Sequence, residues 1–401
     1  MILGASALQV PAIKKAKELG YQVIAVDYDE NAVGFAFADV KLVVSTLDQE
    51  EVYRQALIYQ PDVVITSTSD GPVRTAAYVN EKLGKRPDLS YENAQCATIK
   101  SKMRNRLREC GVPIPKYYAV EDFTAFSEAV DKLNGRCIVK PADNAGSRGV
   151  MLLDPEELSE AHFNERKEQI YRYSRGNSRG GTVMVEEYMQ GPEVSVEAIV
   201  IEGKPHILTV TDKFITPPPY FVELAHCEAS MLDEKIQEGI RAVAGQAICA
   251  IGIENAPAHV EVKVTQDGPK IVELAARLGG DFITSKLVPL STGIDMVGAS
   301  VELAVGKRPD LTPKWNRGAA IHFIHADEGQ EGIISEIAVP RALYAQKGVE
   351  EISLYKKPGD SVQGTRSSND RLGHVITTGE TPQEAMELGA RVLAQIGVGI
   401  A

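Results

Sequence analysis

Apolar positions along this chain recur with two periods, and the changes between them outline its parts. Met1–Leu3 is a short apolar strand. Pro11–Leu19 carries Ala12, Ile13, Ala16 and Leu19 at helical spacing before Gly20, and Val23–Val26 is a second apolar run closing on Asp27. Val40–Val44 and Val63–Ile65 are further buried runs. Strands alternating with helices predict an open parallel sheet and the α/β fold class. The first strand is short, so either residues precede Met1 or the strand is truncated.

From Cys96 the pattern changes. Ile99–Cys110 is a basic amphipathic helix ended by Gly111 and followed by Val112-Pro113-Ile114-Pro115. A helix over Phe123–Leu133, a strand over Arg136–Lys140 and a glycine-containing loop at Asp143–Gly149 come next. Glu156–Ser174 is polar and helical, and the Arg- and Gly-rich Arg175–Gly181 is expected to be a mobile surface loop. Strands follow at Thr182–Glu187 and Glu193–Ile201, the latter ending in a turn at Glu202-Gly203, and then a long helix over Ile236–Ile251. Pro309, Pro313 and Gly318 mark a boundary before short strands (Ala319–His325, Gly373–Thr378) and a final helix, Pro382–Ile396. No fixed-period repeat or low-complexity tract occurs.

Period-two alternation in His259–Thr265 and Lys270–Glu273, around Gln266-Asp267-Gly268, predicts a hairpin. A three-residue loop with Gly last places Glu261 opposite Glu273 and Val262 opposite Val272. Facing carboxylates repel, and a bound divalent cation reverses that penalty. If the second strand continues, Ala275 and Arg277 share the face of Glu273, adding a guanidinium suited to phosphoryl transfer. Taken alone, the hairpin reads as a solvated strand face, and a one-residue slip separates the two glutamates.

Composition narrows the classes. The chain has 401 residues, with 43 Lys+Arg against 55 Asp+Glu and a net charge of −12. At roughly 150 residues per domain this suggests two or three domains. The acidic balance argues against nucleic-acid and anionic-membrane partners but leaves room for a small anionic ligand. No run of about 18 apolar residues is present, so no membrane span is expected, and the N-terminus lacks the features of a signal peptide. Five cysteines in no metal spacing are expected to be reduced thiols of a cytoplasmic protein.

Candidate nucleotide chemistry lies in Ile138-Val139-Lys140-Pro141 and the small-residue loop after it, whose amides can approach phosphates. No G-x-x-x-x-G-K-[ST] loop is present, and a G-x-G-x-x-G dinucleotide fingerprint is absent after the first strand. Val183–Gly191 is a strand running into Glu-Glu-Tyr-Met-Gln-Gly, able to offer backbone groups to an adenine edge. Each feature alone is ambiguous. In order, however, the chain has a basic helix before Gly-Val-Pro, a strand lysine, a Gly–Ser loop, Glu-Glu-Tyr-Met-x-Gly-x-Glu and a Glu…Glu hairpin ending in Glu-x-x-x-Arg. This order resembles the ATP-grasp superfamily of carboxylate–amine ligases, most nearly the L-amino-acid ligases and more distantly biotin carboxylase and glycinamide ribonucleotide ligase.

The resemblance spans essentially the whole chain. It implies an N-terminal Rossmann-like domain over 1–95, an ATP-grasp core over 96–310 with a lid at about 114–181, and a C-terminal domain over 311–401. It implies ATP with Mg²⁺, with Mn²⁺ as a substitute. Lys100 and Lys140 match the phosphate lysines, and Gly146, Ser147 and Gly149 the loop over the triphosphate. Glu186, with the backbone of Glu187 and Met189, matches the adenine hinge, and Glu193 the ribose-binding glutamate. Glu261 and Glu273 match the metal ligands, and Arg277 the arginine that stabilises the acyl phosphate. Ala275 stands where many relatives have a metal-binding asparagine; two Mg²⁺ ions are still expected, completed by phosphate oxygens and water.

On the substrate side, Glu223-x-x-His226 follows a proline-stiffened loop. By residues alone it reads as a helix start or a core histidine; the resemblance makes it a holder for an amino-acid ammonium. Gly280 and Asp281 are placed beside the acyl group, and Asp70, at the edge of the parallel sheet, near the second substrate. Cys227, adjacent to His226, points away from it and is no nucleophile. The expected activity is amide formation through an acyl phosphate from small-molecule carboxylate and amine substrates, by a possible homodimer, without nucleic acid or membrane. The alternatives are a carboxylating or purine-pathway member of the superfamily, or a non-catalytic ATP-binding regulator.

Overall fold

The computed structural model of the protein describes the chain except Arg86, Pro87, Ala145, Ser147, Leu158, Pro219 and Glu328, with backbone alone at positions 157, 160 and 161. The expected parallel sheet forms first, from β1 (Ile2–Leu3), β2 (Ile24–Asp27), β3 (Val40–Val43) and β4 (Ile65–Thr66), in the order β3-β2-β1-β4. The helix Val10–Glu18 buries Ala12, Ile13 and Ala16, as its spacing dictates. Asp27, at the end of β2, accepts from the amides of Ala5 and Asp29, so it closes the β1 turn.

A second sheet is antiparallel: β5 (Tyr117–Val120), β6 (Cys137–Pro141), β7 (Met151–Leu153) and β8 (Val183–Glu187), in the order β5-β8-β6-β7. The helices Phe123–Lys132 and Glu160–Gly176 cover it, packing Phe126, Val130 and Ile170 on Val139, Leu153 and Val185. The segment expected to be mobile, Arg175–Gly181, is tied down. The helix runs on to Gly176, and Asp143 accepts from Ser178 Oγ (2.9 Å) and the amides of Arg179 (3.0 Å) and Gly180 (2.7 Å).

The large sheet uses β9 (Glu193–Ile201), β10 (Lys204–Ile215), β11 (Glu223–Glu228), β12 (Ala256–Thr265), β13 (Gly268–Ala275) and β14 (Gly318–Ile324). After β15 (Gly332–Ala338) come β16 (Val349–Leu354), β17 (Ser361–Val362), β18 (Gly373–Gly379) and β19 (Gly397–Ile400). Eight of these make one sheet, β13-β12-β9-β10-β11-β14-β18-β16, and β17-β15-β19 make a small fourth sheet. The helix Glu234–Ile251, stopped by Gly252 at φ 78, lays Ile240, Ala247, Ile248 and Ile251 on Val194, Val260 and Leu274. Val73 and Ala77 of the helix Gly71–Lys82 join the same core.

The hairpin differs from expectation in its loop. Thr265 pairs with Gly268, leaving a two-residue turn, and Val262 pairs with Ile271 rather than Val272. A bulge at Val272 then restores Glu261 opposite Glu273. The shorter loop alone would have put Glu273 on the other face; the extra residue returns it. Among the described residues no single helix is long and apolar enough to cross a membrane; the bent pair Ile283–Thr292 and Met296–Ala304 passes by length and composition, and its second half is almost wholly buried in the core.

Candidate active site

A cavity of about 280 Å³ opens between the second sheet and the large sheet. Lys100, Lys140, Glu186, Glu187, Met189, Glu193, Glu261, Glu273, Arg277, Glu223, His226, Gly146, Gly280 and Asp281 all line it. Of the expected site residues, Gly149 is not in the lining, and Ser147 lies outside the described residues. Gly149 has φ 80, and a Cβ there would sit 2.8 Å from Asn177 Cβ and 3.0 Å from Pro141 Cδ, so close packing explains the glycine.

One end of the cavity is built on two lysines and a buried arginine. Lys100 opens the helix Lys100–Glu109; its Nζ donates to the Asn144 carbonyl (2.7 Å) and to Glu273 (2.8 Å). Lys140, near the end of β6, reaches Glu186 at 2.7 Å. Arg104 grips the same carboxylate through Nε (2.8 Å) and Nη2 (3.0 Å) and donates to the carbonyls of Ile271 and Val272. Burial alone would raise the Glu186 carboxyl, but Arg104 and Lys140 bring it down to about 2. That carboxylate is therefore fully engaged. Glu187 accepts from the Lys116 amide, and Glu193 from Lys213 (2.7 Å) and Lys263 (3.3 Å).

Three bulges place the acidic groups. Glu193, Lys213 and His226 are cross-strand neighbours on β9, β10 and β11, a register set by a bulge between Ile207 and Thr209. In a regular strand Glu223 and His226 would point to opposite faces. A bulge beside Phe214 and Ile215 leaves Leu224 unpaired, so both residues reach the cavity. The Val272 bulge does the same for Glu273.

Lys213 is the hub that sequence reasoning missed. Its side chain is 4% exposed, with Nζ 2.7 Å from Glu193, 3.0 Å from Glu261 and 3.8 Å from Glu223. Burial would lower its pKa, but the three carboxylates hold it well above the usual lysine range. His259 Nδ1 donates to Glu197 (2.6 Å), and its Nε2 lies 3.6 Å from Glu261; despite burial, Glu197 raises it to about 9. Glu261, which burial would raise, is held well below the ordinary range by Lys213 and His259. The Glu202-Gly203 turn alone would pair Glu193 with Asp212, and the bulge between Ile207 and Thr209 brings Lys213 opposite Glu193 instead, so no local sequence signal announced it.

Among the described residues no group of three or more His, Cys, Asp or Glu could hold a metal. Glu261 and Glu273 are therefore a two-carboxylate set, and Ala275 adds nothing to it. Such a set suits Mg²⁺, which keeps several waters and takes substrate phosphate oxygens.

At the other end, Arg277 pairs with Asp70 through Nε (2.9 Å) and Nη2 (3.3 Å), while Nη1 donates to the Leu278 carbonyl. Asp70, expected near the second substrate, holds the arginine and lines the cavity. His226 Nε2 lies 3.3 Å from Asp281. Arg371, 148 residues from Glu223 in sequence, contacts both Glu223 and Asp281. Nothing in the local pattern announced it.

The chain is similar to known proteins in sequence and in fold. Residues 133–285 match the ATP-grasp domain model, and residues 322–401 the model of the L-amino acid ligase C-terminal domain 2. The alanine–anticapsin ligase of Bacillus subtilis (strain 168) is 27% identical over 278 residues, covering 65% of this chain and 58% of that protein. The chain thus spans less than two thirds of that relative's length. The L-arginine-specific L-amino acid ligase of Bacillus subtilis is 23% identical, covering 82% of this chain and 78% of that protein. The crystal structure of an L-amino acid ligase from Bacillus licheniformis shares the fold, with a TM-score of 0.82 at 20% identity, over 100% of this chain and 98% of that one.

Proposed function

Starting from membership of the ATP-grasp superfamily, with a C-terminal domain of the L-amino acid ligase type, we propose that this protein is an ADP-forming carboxylate–amine ligase with an amino acid among its substrates. The observation that carries the reading is that one cavity joins two lysines and a facing carboxylate pair to Arg277, Glu223 and His226. Lys100, Lys140 and the loop at Gly146 bind the triphosphate. The backbone of Glu187 and Met189 reads adenine, since the Glu186 carboxylate is held by Arg104 and Lys140, and Glu193 takes the ribose. Glu261 and Glu273 would hold Mg²⁺, which supplies charge neutralisation for the phosphates.

The acid's carboxylate oxygen attacks the γ-phosphorus. The bond to the β–γ bridging oxygen breaks, ADP leaves and an acyl phosphate forms. The amine nitrogen then attacks the acyl carbon; the C–O bond to phosphate breaks, and the amine gives up a proton. Arg277, fixed by Asp70, faces the negative charge that develops in both steps. The lid over 114–181, which carries β5, β6 and β7 of the second sheet, excludes water that would hydrolyse the acyl phosphate.

The test is ADP release with Mg²⁺ and pairs of L-amino acids, with the amide product identified by mass. AMP as product, or release stimulated by bicarbonate or formate instead of an amine, overturns the reading.

A further inference from the structure

We propose that Arg371 is a positioning residue that joins Glu223 and Asp281 into one receptor for the α-ammonium of the acid substrate; this rests on the ligase reading above. The guanidinium donates from Nη1 to Asp281 (2.9 Å) and from Nη2 to Glu223 (3.0 Å). It lies 3.7 Å over the Phe323 ring and is 3% exposed. A planar fork can hold two carboxylates in one plane; a lysine ammonium cannot.

Charge supports the assignment. Two carboxylates against one guanidinium leave one negative charge at the cavity wall. Lys213 is 3.8 Å from Glu223 but closer to Glu193 and Glu261, and His226 sits 3.3 Å from Asp281. A single ammonium is the cation that completes this set. Without the fork, the two carboxylates repel each other.

Backbone strain points the same way. Asp281 and Phe282 both have positive φ, 50° and 62°. Two consecutive non-glycine residues in that region persist only where their surroundings over-determine them. The segment at the start of β18 does so: Arg371 holds Asp281, and the His374 ring packs on Phe282 with centroids 4.5 Å apart. The C-terminal region thus shapes a receptor whose acidic groups belong to the preceding sheet and loop.

The experiment is calorimetric titration of the full chain, loaded with Mg²⁺ and ADP, with each of the common L-amino acids and with the carboxylic acids that lack their α-amino group. Wild type is expected to bind at least one amino acid and to prefer it over its des-amino analogue. Arg371→Lys should melt near the wild-type temperature and bind ADP within about twofold, yet bind the amino acid about tenfold more weakly and lose most of that preference. Arg371→Met should lose more. Amino-acid binding as tight as wild type in both variants, or a parallel loss of ADP and amino acid, overturns the role of Arg371. Absence of amino-acid binding by wild type overturns the substrate reading beneath it.

Discussion

Lys213 shows how much single side chains decide in this cavity. It is the shared counter-ion of Glu193, Glu261 and Glu223. Removing one partner of a buried ionic cluster leaves uncompensated charge and typically costs about 3–5 kcal/mol. Lys213→Met should therefore lower the urea midpoint sharply, and a midpoint near wild type would show that the carboxylates relax into water. Glu228 makes a pH-dependent case. It is buried, accepts from Thr211 and Ser291, and is raised to about 8 by burial and by Glu197. The folded state then binds a proton that the unfolded state has released, so stability falls as pH rises from 4.5 to about 8. Glu228→Gln should raise the melting temperature at pH 8 and lose that advantage below the ordinary carboxyl pKa of 4.5. For catalysis, Arg277→Ala should leave ATP affinity within about twofold while lowering amide formation by at least about a hundredfold, as loss of an oxyanion-type donor does; calorimetry and single-turnover product assays separate the two.

Between strands, the active face depends on irregularities. A regular β12–β13 pair with its two-residue turn would aim Glu273 away, and a regular β10–β11 pair would split Glu223 from His226. Deleting Val272 removes only the unpaired residue and leaves Glu273 opposite Glu261, so Mg²⁺-dependent strengthening of ATP binding should survive it, measurable by titration with and without the metal; its loss would show that the bulge itself aims the carboxylate. The same irregularities explain what could be read from the residues. Long periodic elements were legible: the helix Glu234–Ile251 lies where an apolar stripe predicted one, and β9 spans Glu193–Ile201 as expected. The facing pair Glu261 and Glu273 was also legible, although the expected loop and the observed bulge reach it by different routes. β11 was not, because its cavity-facing Glu223 and His226 break the alternation that marks a strand. Arg104 and Arg371 were invisible because their partners lie on distant segments, and basic residues in a helix or a loop read as solvated until the partner is known.

Across the whole molecule, the net charge of −12 coexists with a site for a triphosphate because charge is arranged locally. Lys100, Lys140, Lys213, Arg104 and Arg277 all line or back one cavity, each balanced by a carboxylate. The N-terminal sheet is part of that arrangement. Asp70 anchors Arg277, the Ser67 carbonyl accepts from the Leu278 amide, and Val73 and Ala77 share a core with the large sheet. The most direct measurement of the central claim is product analysis after incubation with ATP, Mg²⁺ and pairs of L-amino acids. The account predicts ADP, phosphate and one amide in equal amounts, dependent on both amino acids. Release of AMP, or nucleotide turnover that ignores the amino acids while no amide appears, would contradict it.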